Sequence, residues 1–389
     1  MAEKKSQRGH NEGSVYYWKE RDRWVAEISL GPGRRKKFLF KSKAEALKKK
    51  NDALRELEQG TLATGPQRKL KDYLEDWIEN VYKDNVRIST YVKYKKGIKY
   101  IVAELGDVWL QKLTPEQVRK LYTKMGKEKS KGGLGLSSKT INSTHGVLHL
   151  ALQNAVLWNY VSKNVCDLVK PPKIVSREGT PLTLEQARKF LEGVREHRLE
   201  TLLTVAIVTG MRRGELLALR WSNINFEIKT LLVLHTVDYI PHYGYVETEP
   251  KSKSGKRAIS LPSFVVDMLK SHKEVVLERQ RKQGDKWENR DLVFPDLKGG
   301  YSNPGYLVRV FSKLLVKAGV PPMHFHDLRH SAATILLAMG VNMKVIQALL
   351  GHSDIAITLR LYAHLLPSMQ QDAVEKWEEG FKDDETDKS

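Results

Sequence analysis

The 389-residue chain is short of several things, and each shortage excludes a class of protein. Its single cysteine, Cys166, rules out an internal disulfide framework and any multi-cysteine zinc site; it is expected as a half-buried helix residue. No apolar run reaches the roughly 18 residues a membrane span needs, and the opening MAEKKSQRGHNEGS has no apolar segment after its charges. The expectation is a protein of the cytoplasm with no membrane partner. No G-x-x-x-x-G-K-[ST], H-E-x-x-H, G-x-S-x-G or D-x-D cluster occurs, so nothing asks for ATP, zinc proteolysis, serine hydrolysis or a two-metal centre. Negative charge is also scarce. Against 46 Asp and Glu stand 66 Lys and Arg, a net +20, and a balance that basic points to a polyanion, most often nucleic acid.

What is present divides into segments. Between residues 14 and 40 apolar and polar positions alternate around Trp24, Ala26, Ile28 and Leu30, with a turn at Gly31-Pro32-Gly33. This reads as a small three-stranded sheet, and Ser42 with Glu45 then caps a helix to about Gly60. Arg34, Arg35, Lys36 and Lys37, interleaved with aromatic residues, suit a sheet laid against DNA; a small aromatic core with solvated lysines is the alternative. Residues 61–68 form a linker. From Leu70, apolar positions recur at helical spacing, and further helices start at the box Thr114-Pro115-Glu116-Gln117 and at Ser138. The basic loop between them carries Lys129 and Lys131, and Lys139 follows at the next helix start. Lys170-Pro171-Pro172-Lys173 ends the helical domain, and Thr183 with Gln186 opens another helix. Beyond it, residues 231–240, 243–249 and 256–261 read as three strands set among helices.

Four constellations bear on chemistry. His145 and His149 stand four apart on a helix, without an evident carboxylate partner, and read as packed or surface histidines. In T-G-M-R-R-G-E-L-L-A-L-R-W, Gly210 lets backbone approach closely and Arg212 falls in the first turn of a helix. A cation opposes the dipole there, so it wants either a bound anion or a carboxylate such as Glu215. In H-F-H-D-L-R-H, His326 and Arg329 are three apart and present an imidazole and a guanidinium on one helical face; a metal cluster of His324, His326 and His330 is the weaker rival. Finally, A-T-I-L-L-A-M-G-V-N-M-K-V-I-Q-A-L-L-G-H has the form of a helix-turn-helix, which would make the chain a DNA-binding regulator without cleavage. A tyrosine, Tyr362, lies ten residues after His352. A phenol is a poor nucleophile unless several cations offset the developing charge.

Arg212, His326, Arg329, His352 and Tyr362, in that order, resemble the tyrosine recombinase family of phage-type integrases. That family has an arginine in T-G-x-R-x-x-E, a hairpin lysine, H-x-x-R, L-G-H and a tyrosine about ten residues later. The resemblance spans residues 178–367. The hairpin offers Lys251, Lys253 and Lys256; S-K-S-G favours Lys253, with Lys251 second.

The resemblance implies a multidomain α+β fold. Residues 1–65 would be an arm-type DNA-binding domain of three-stranded sheet plus helix, 66–174 a helical-bundle core-site domain, and 175–389 a mainly α catalytic domain with a small antiparallel sheet. It implies that Tyr362 attacks a phosphodiester to leave a 3′-phosphotyrosyl bond and a free 5′-hydroxyl. Arg212 and Arg329 would hold the non-bridging oxygens, with Glu215 orienting Arg212. Lys253 would protonate the leaving oxygen, His326 would take the phenolic proton, and His352 would bond the phosphate; Arg213, lacking the family's offset from Gly210, reads as a surface residue or a DNA-backbone contact. The cations are side chains, so no metal or cofactor is expected. The implied partners are double-stranded attachment-site DNA, three further copies in a tetramer, an excisionase and a host DNA-bending protein. A type IB topoisomerase shares the tyrosyl chemistry and is the other alternative.

Overall fold

The computed structural model describes residues 13–59, 62–127, 135–174, 181–250 and 252–351. The chain divides into two compact units, Met1–Ser176 and Arg177–Ser389. The architecture is mixed, mostly helical, with small antiparallel sheets.

The first unit opens with an antiparallel sheet of β1 (Ser14–Trp18), β2 (Arg23–Ser29) and β3 (Arg35–Phe40), in the order β1-β2-β3. Helix α1 (Lys43–Glu58) follows, its Ser42 hydroxyl accepting the Glu45 N–H. Ile28 and Phe38 pack with Ala53, Leu54, Leu57 and Leu62 into a small core. Side chains alternate across a strand, and that parity decides which cations of β3 face solvent. Arg35 and Lys37 are exposed, while Lys36 pairs with Ile28 on the helix side. There its ammonium donates to the Ala63 carbonyl, and burial first, then Lys49, lowers its pKa. Lys36 is therefore a correction to the expected basic face. Arg35 and Lys37 instead flank the buried Glu27.

Among the described residues, helices α2 (Leu70–Asp76), α3 (Ile88–Leu105), α4 (Pro115–Lys127) and α5 (Ser138–Leu157) build most of the remainder of this unit. The α5 cap is Ser137, one residue before the expected Ser138. Cys166 is fully buried in a 3-10 turn, Val165–Leu168, rather than half-buried in a helix, and burial pushes its thiol up to about 12. His149 does have a carboxylate partner, Asp167 at 2.8 Å, while His145 meets the Tyr122 hydroxyl at 2.8 Å.

In the second unit, α6 (Leu184–Gly193) begins at the expected Thr183–Gln186 capping box. The apolar α7 (Glu200–Thr209) runs through the core and leads into the short α8 (Arg213–Leu217). The region expected as three strands forms two sheets. β4 (Ile224–Asn225), β5 (Thr230–Val233) and β8 (Arg257–Ser260) make one, and β6 (Thr236–Ile240) pairs with β7 (Gly244–Thr248) in the other. The single run 231–240 is thus broken between Val233 and Thr236. Helices α9 (Ser263–Gln283), α10 (Pro304–Ala318), α11 (Asp327–Ala338) and α12 (Met343–Leu350) follow among the described residues. Phe311, edge-on to both Phe190 and Phe325, ties α6, α10 and the approach to α11 into one core. Among the described residues no helix is long and apolar enough to cross a membrane.

Candidate active site

The site starts from the end of α7. Gly210 stops that helix at φ +60°, a left-handed backbone that glycine adopts without penalty. Space demands glycine as well, because a Cβ here would stand 2.4 Å from Leu350 and 3.3 Å from Ala332. The approach is used: Arg329, buried in the first turn of α11, donates through Nη1 to the Gly210 carbonyl at 2.9 Å. Met211 then drops into the core, and Arg212 follows with extended backbone.

Arg212 is the cap residue of α8 and not, as expected, part of its first turn. The dipole conflict is resolved by Glu215. That carboxylate accepts the Arg212 N–H at 2.9 Å and Nη1 at 2.7 Å, with its side chain 2 % exposed against 40 % for Arg212. Arg212 therefore keeps solvent access while its direction is fixed. A second guanidinium, Arg257 at the start of β8, reaches the other side of the same carboxylate at 2.9 Å. Desolvation pushes the Glu215 pKa up, but the Arg257 charge and the hydrogen bonds from both arginines outweigh it, and the pKa is lowered.

His326 caps α11, and its ring stands 5.2 Å from that of His330, nearly perpendicular. The Asp327 carboxylate holds this turn by accepting the His324 N–H at 2.8 Å. Burial first, then the charges of His330, Arg329 and Arg212, lowers the His326 pKa, with Asp327 opposing. The structure thus brings Arg212, His326 and Arg329 to one place. Arg213 is half-buried at the start of α8, next to Arg212. Lys253 opens a short turn, Lys253–Gly255, before β8. Lys256 is engaged elsewhere, with Glu249 at 2.8 Å. His352, Tyr362 and Lys251 lie outside the described residues, as do Lys129 and Lys131.

The lowered His326 pKa has a consequence. A group depressed below the ordinary histidine value of about 6.5 is neutral at pH 7 and able to accept a proton. If His326 takes the phenolic proton, as the resemblance implies, the acid limb of kcat/KM for cleavage, which reports the free enzyme, is expected below about pH 6.5 and absent in His326→Gln. A limb above that value in wild type would contradict this role.

Sequence reasoning missed Arg257. The only signal was an arginine opening the alternation of K-R-A-I-S-L, where inward parity puts it on the side of Ile259.

Two guanidiniums and an imidazole beside a helix-capping glycine give this mainly α unit a cluster of donors suited to an anion. Comparison with known proteins makes the class specific. Residues 181–369 match the model of the phage integrase family, and residues 69–126 match its N-terminal SAM-like domain. A XerC-like tyrosine recombinase of Caldanaerobacter subterraneus is 31% identical over 360 residues, covering 88% of this chain and 90% of that protein. The ICEBs1 integrase of Bacillus subtilis is 26% identical, over 76% of this chain and 80% of its own. In fold, the Tn1549 transposon integrase in complex with a circular intermediate DNA superposes with a TM-score of 0.66 at 22% identity, covering 79% of this chain and 99% of that one. Lambda integrase, as a tetramer bound to a Holliday junction, gives 0.56 at 17%, over 87% and 95%. The chain belongs to the phage integrase family of tyrosine recombinases, and its activity class is site-specific DNA recombination.

Proposed function

We propose that this recombinase is the integrase of a mobile element. It cleaves and rejoins attachment-site DNA through a 3′-phosphotyrosyl intermediate, as a homotetramer on paired duplexes. The nearness of Arg212 and Arg329 to His326, with Arg329 anchored on the Gly210 carbonyl, carries the reading. In it, Arg212 and Arg329 neutralise the non-bridging oxygens as charge grows on phosphorus, and the fixed Glu215 partner keeps Arg212 aimed. His326 takes the Tyr362 proton, Lys253 returns one to the leaving 5′-oxygen, and His352 adds a hydrogen bond to the phosphate. The new phosphotyrosyl ester keeps the energy of the broken bond, so a 5′-hydroxyl from the partner duplex reverses the step.

A duplex nicked next to the scissile phosphate tests this, since loss of the short 5′-fragment traps the adduct. Wild type is expected to form a covalent protein–DNA species, and Tyr362→Phe none. An adduct that persists in Tyr362→Phe sinks the assignment of the nucleophile.

The domain scheme of 1–65 for arm sites, 66–174 for core sites and 175–389 for chemistry belongs to the same proposal. Lys93, Lys96 and Lys139, with hydroxyls of Ser137, Thr140 and Ser143, line a groove of about 290 Å³ between α3 and α5, which suits a DNA backbone. Lys129 and Lys131, outside the described residues, join these contacts by their charge, and Arg213 joins the backbone contacts of the catalytic unit. On the arm domain, Arg34, Arg35 and Lys37 are the contact cations. Losing one phosphate contact lowers the salt slope of binding by about 0.9. Lys37→Ala is therefore expected to weaken arm-site binding with such a drop. Lys36→Ala is expected to leave the slope unchanged and lower the melting temperature instead. Equal salt slopes for the two variants would refute the parity argument. An excisionase and a host DNA-bending protein would set direction, in the cytoplasm at the nucleoid.

A further inference from the structure

The guanidinium of Arg257 has three nitrogens, and each bonds a different element of the second unit. Nε donates to the Leu349 carbonyl in the last turn of α12 at 2.6 Å. Nη1 donates to the Gly255 carbonyl, which ends the turn opened by Lys253, at 3.1 Å. Nη2 donates to Glu215, the carboxylate that aims Arg212, at 2.9 Å. The side chain is 5 % exposed, so these bonds form away from competing water. A cation at the carboxyl end of a helix is also favoured by its dipole.

The contact between these elements is tight. Gly351 caps α12 at φ +67°, and a Cβ there would stand 2.5 Å from the Ser254 carbonyl and 3.0 Å from Arg257 Cδ. The end of α12 is therefore pressed onto the lysine turn, with Arg257 beneath both. His352 is the next residue in the chain, and Tyr362 follows ten later.

We infer that Arg257 is a positioning residue for strand cleavage, holding the Lys253 turn and the end of α12 in fixed register with Arg212. This rests on the recombinase reading above. Arg257 touches no reacting atom; it acts through the three elements it joins. Only a planar fork of donors reaches three diverging acceptors, so lysine cannot replace it. Without it the turn and the helix end are free to shift relative to Arg212, and a misplacement on the order of 1 Å costs about 100-fold in rate.

The test uses full-length Arg257→Lys and Arg257→Ala on two nicked duplexes, one with the natural 5′-oxygen at the scissile bond and one with sulfur there. A thiolate leaves without a proton donor, so the sulfur substrate bypasses the lysine turn. Arg257→Lys is expected to bind DNA as wild type does and to cleave the oxygen substrate about 100-fold more slowly, recovering to within about 10-fold on sulfur. Arg257→Ala should show the same selective recovery. Wild-type rates on oxygen would overturn the inference. So would equal loss on both substrates, because Arg257 would then not hold the lysine turn, or loss of folding and DNA binding in both variants, because it would then only support the fold. If wild type itself forms no adduct on either duplex, the recombinase reading has failed and not this inference alone.

Discussion

Arg329→Ala is expected to slow cleavage of a nicked duplex by about 1000-fold or more while duplex affinity changes little. Affinity in such complexes comes from many phosphate contacts, of which one arginine is a small share. Catalysis depends on how strongly charge is stabilised at one phosphorus. Removing a single fixed donor typically costs about 100- to 1000-fold, and an ionic donor in a buried setting lies at the upper end. Arg329 is buried, and its Nη1 bond to Gly210 sets its direction. Lysine has no fork to bond that carbonyl and the phosphate together, so Arg329→Lys is expected to recover little. The variant also leaves the Gly210 carbonyl short of a donor, which costs about 1–3 kcal/mol of stability. A neutral methylphosphonate at the scissile position separates the two effects. If Arg329 works by neutralising a non-bridging oxygen, Arg329→Ala loses far less on that substrate than on phosphate. An equal loss on both substrates would assign Arg329 to folding alone.

How much of this was legible in the chain depended on sequence distance. The Ser42–Glu45 and Thr183–Gln186 caps were readable because a cap is settled within four residues. The T-G-M-R-R-G-E segment was readable for the same reason, since the Gly210 turn and the Arg212–Glu215 pair are local. Arg257 was not, because its partners Glu215 and Leu349 lie 42 and 92 residues away. Nor was the His149–Asp167 pair, 18 residues apart. Lys36 failed through parity: four consecutive basic residues cannot all face one side of a strand, and only the register with Ile28 shows which side is buried. The helix-turn-helix reading had the right secondary structure and the wrong surface. Ile346 and Leu350 of α12 pack against Ala333 and Leu337 of α11, and the exposed face offers Lys344, Val345 and Ala348, a poor set for reading base edges.

Glu215→Gln carries the second large expectation, this time in stability. The carboxylate is buried between two guanidiniums, and the amide would turn a donor toward one of them. Removing one partner of a buried ion pair costs about 3–5 kcal/mol, mostly from the charge left behind. Arg257, 5 % exposed, bears that cost; Arg212, 40 % exposed, is relieved by solvent, so the lower end, about 3 kcal/mol, is expected. For a unit of roughly 200 residues that is a fall of about 6–12 °C in melting temperature. The pH dependence follows from the sign of the shift. The folded pKa of Glu215 lies below its unfolded value, so its contribution is complete above the usual carboxylate range and disappears as pH falls through the folded pKa. The gap in melting temperature between wild type and Glu215→Gln should therefore be widest near about pH 7 and close on acidification. A gap that stays constant down to about pH 3 would mean that the loss comes from packing, and that Glu215 does not act as the shared counter-ion of Arg212 and Arg257.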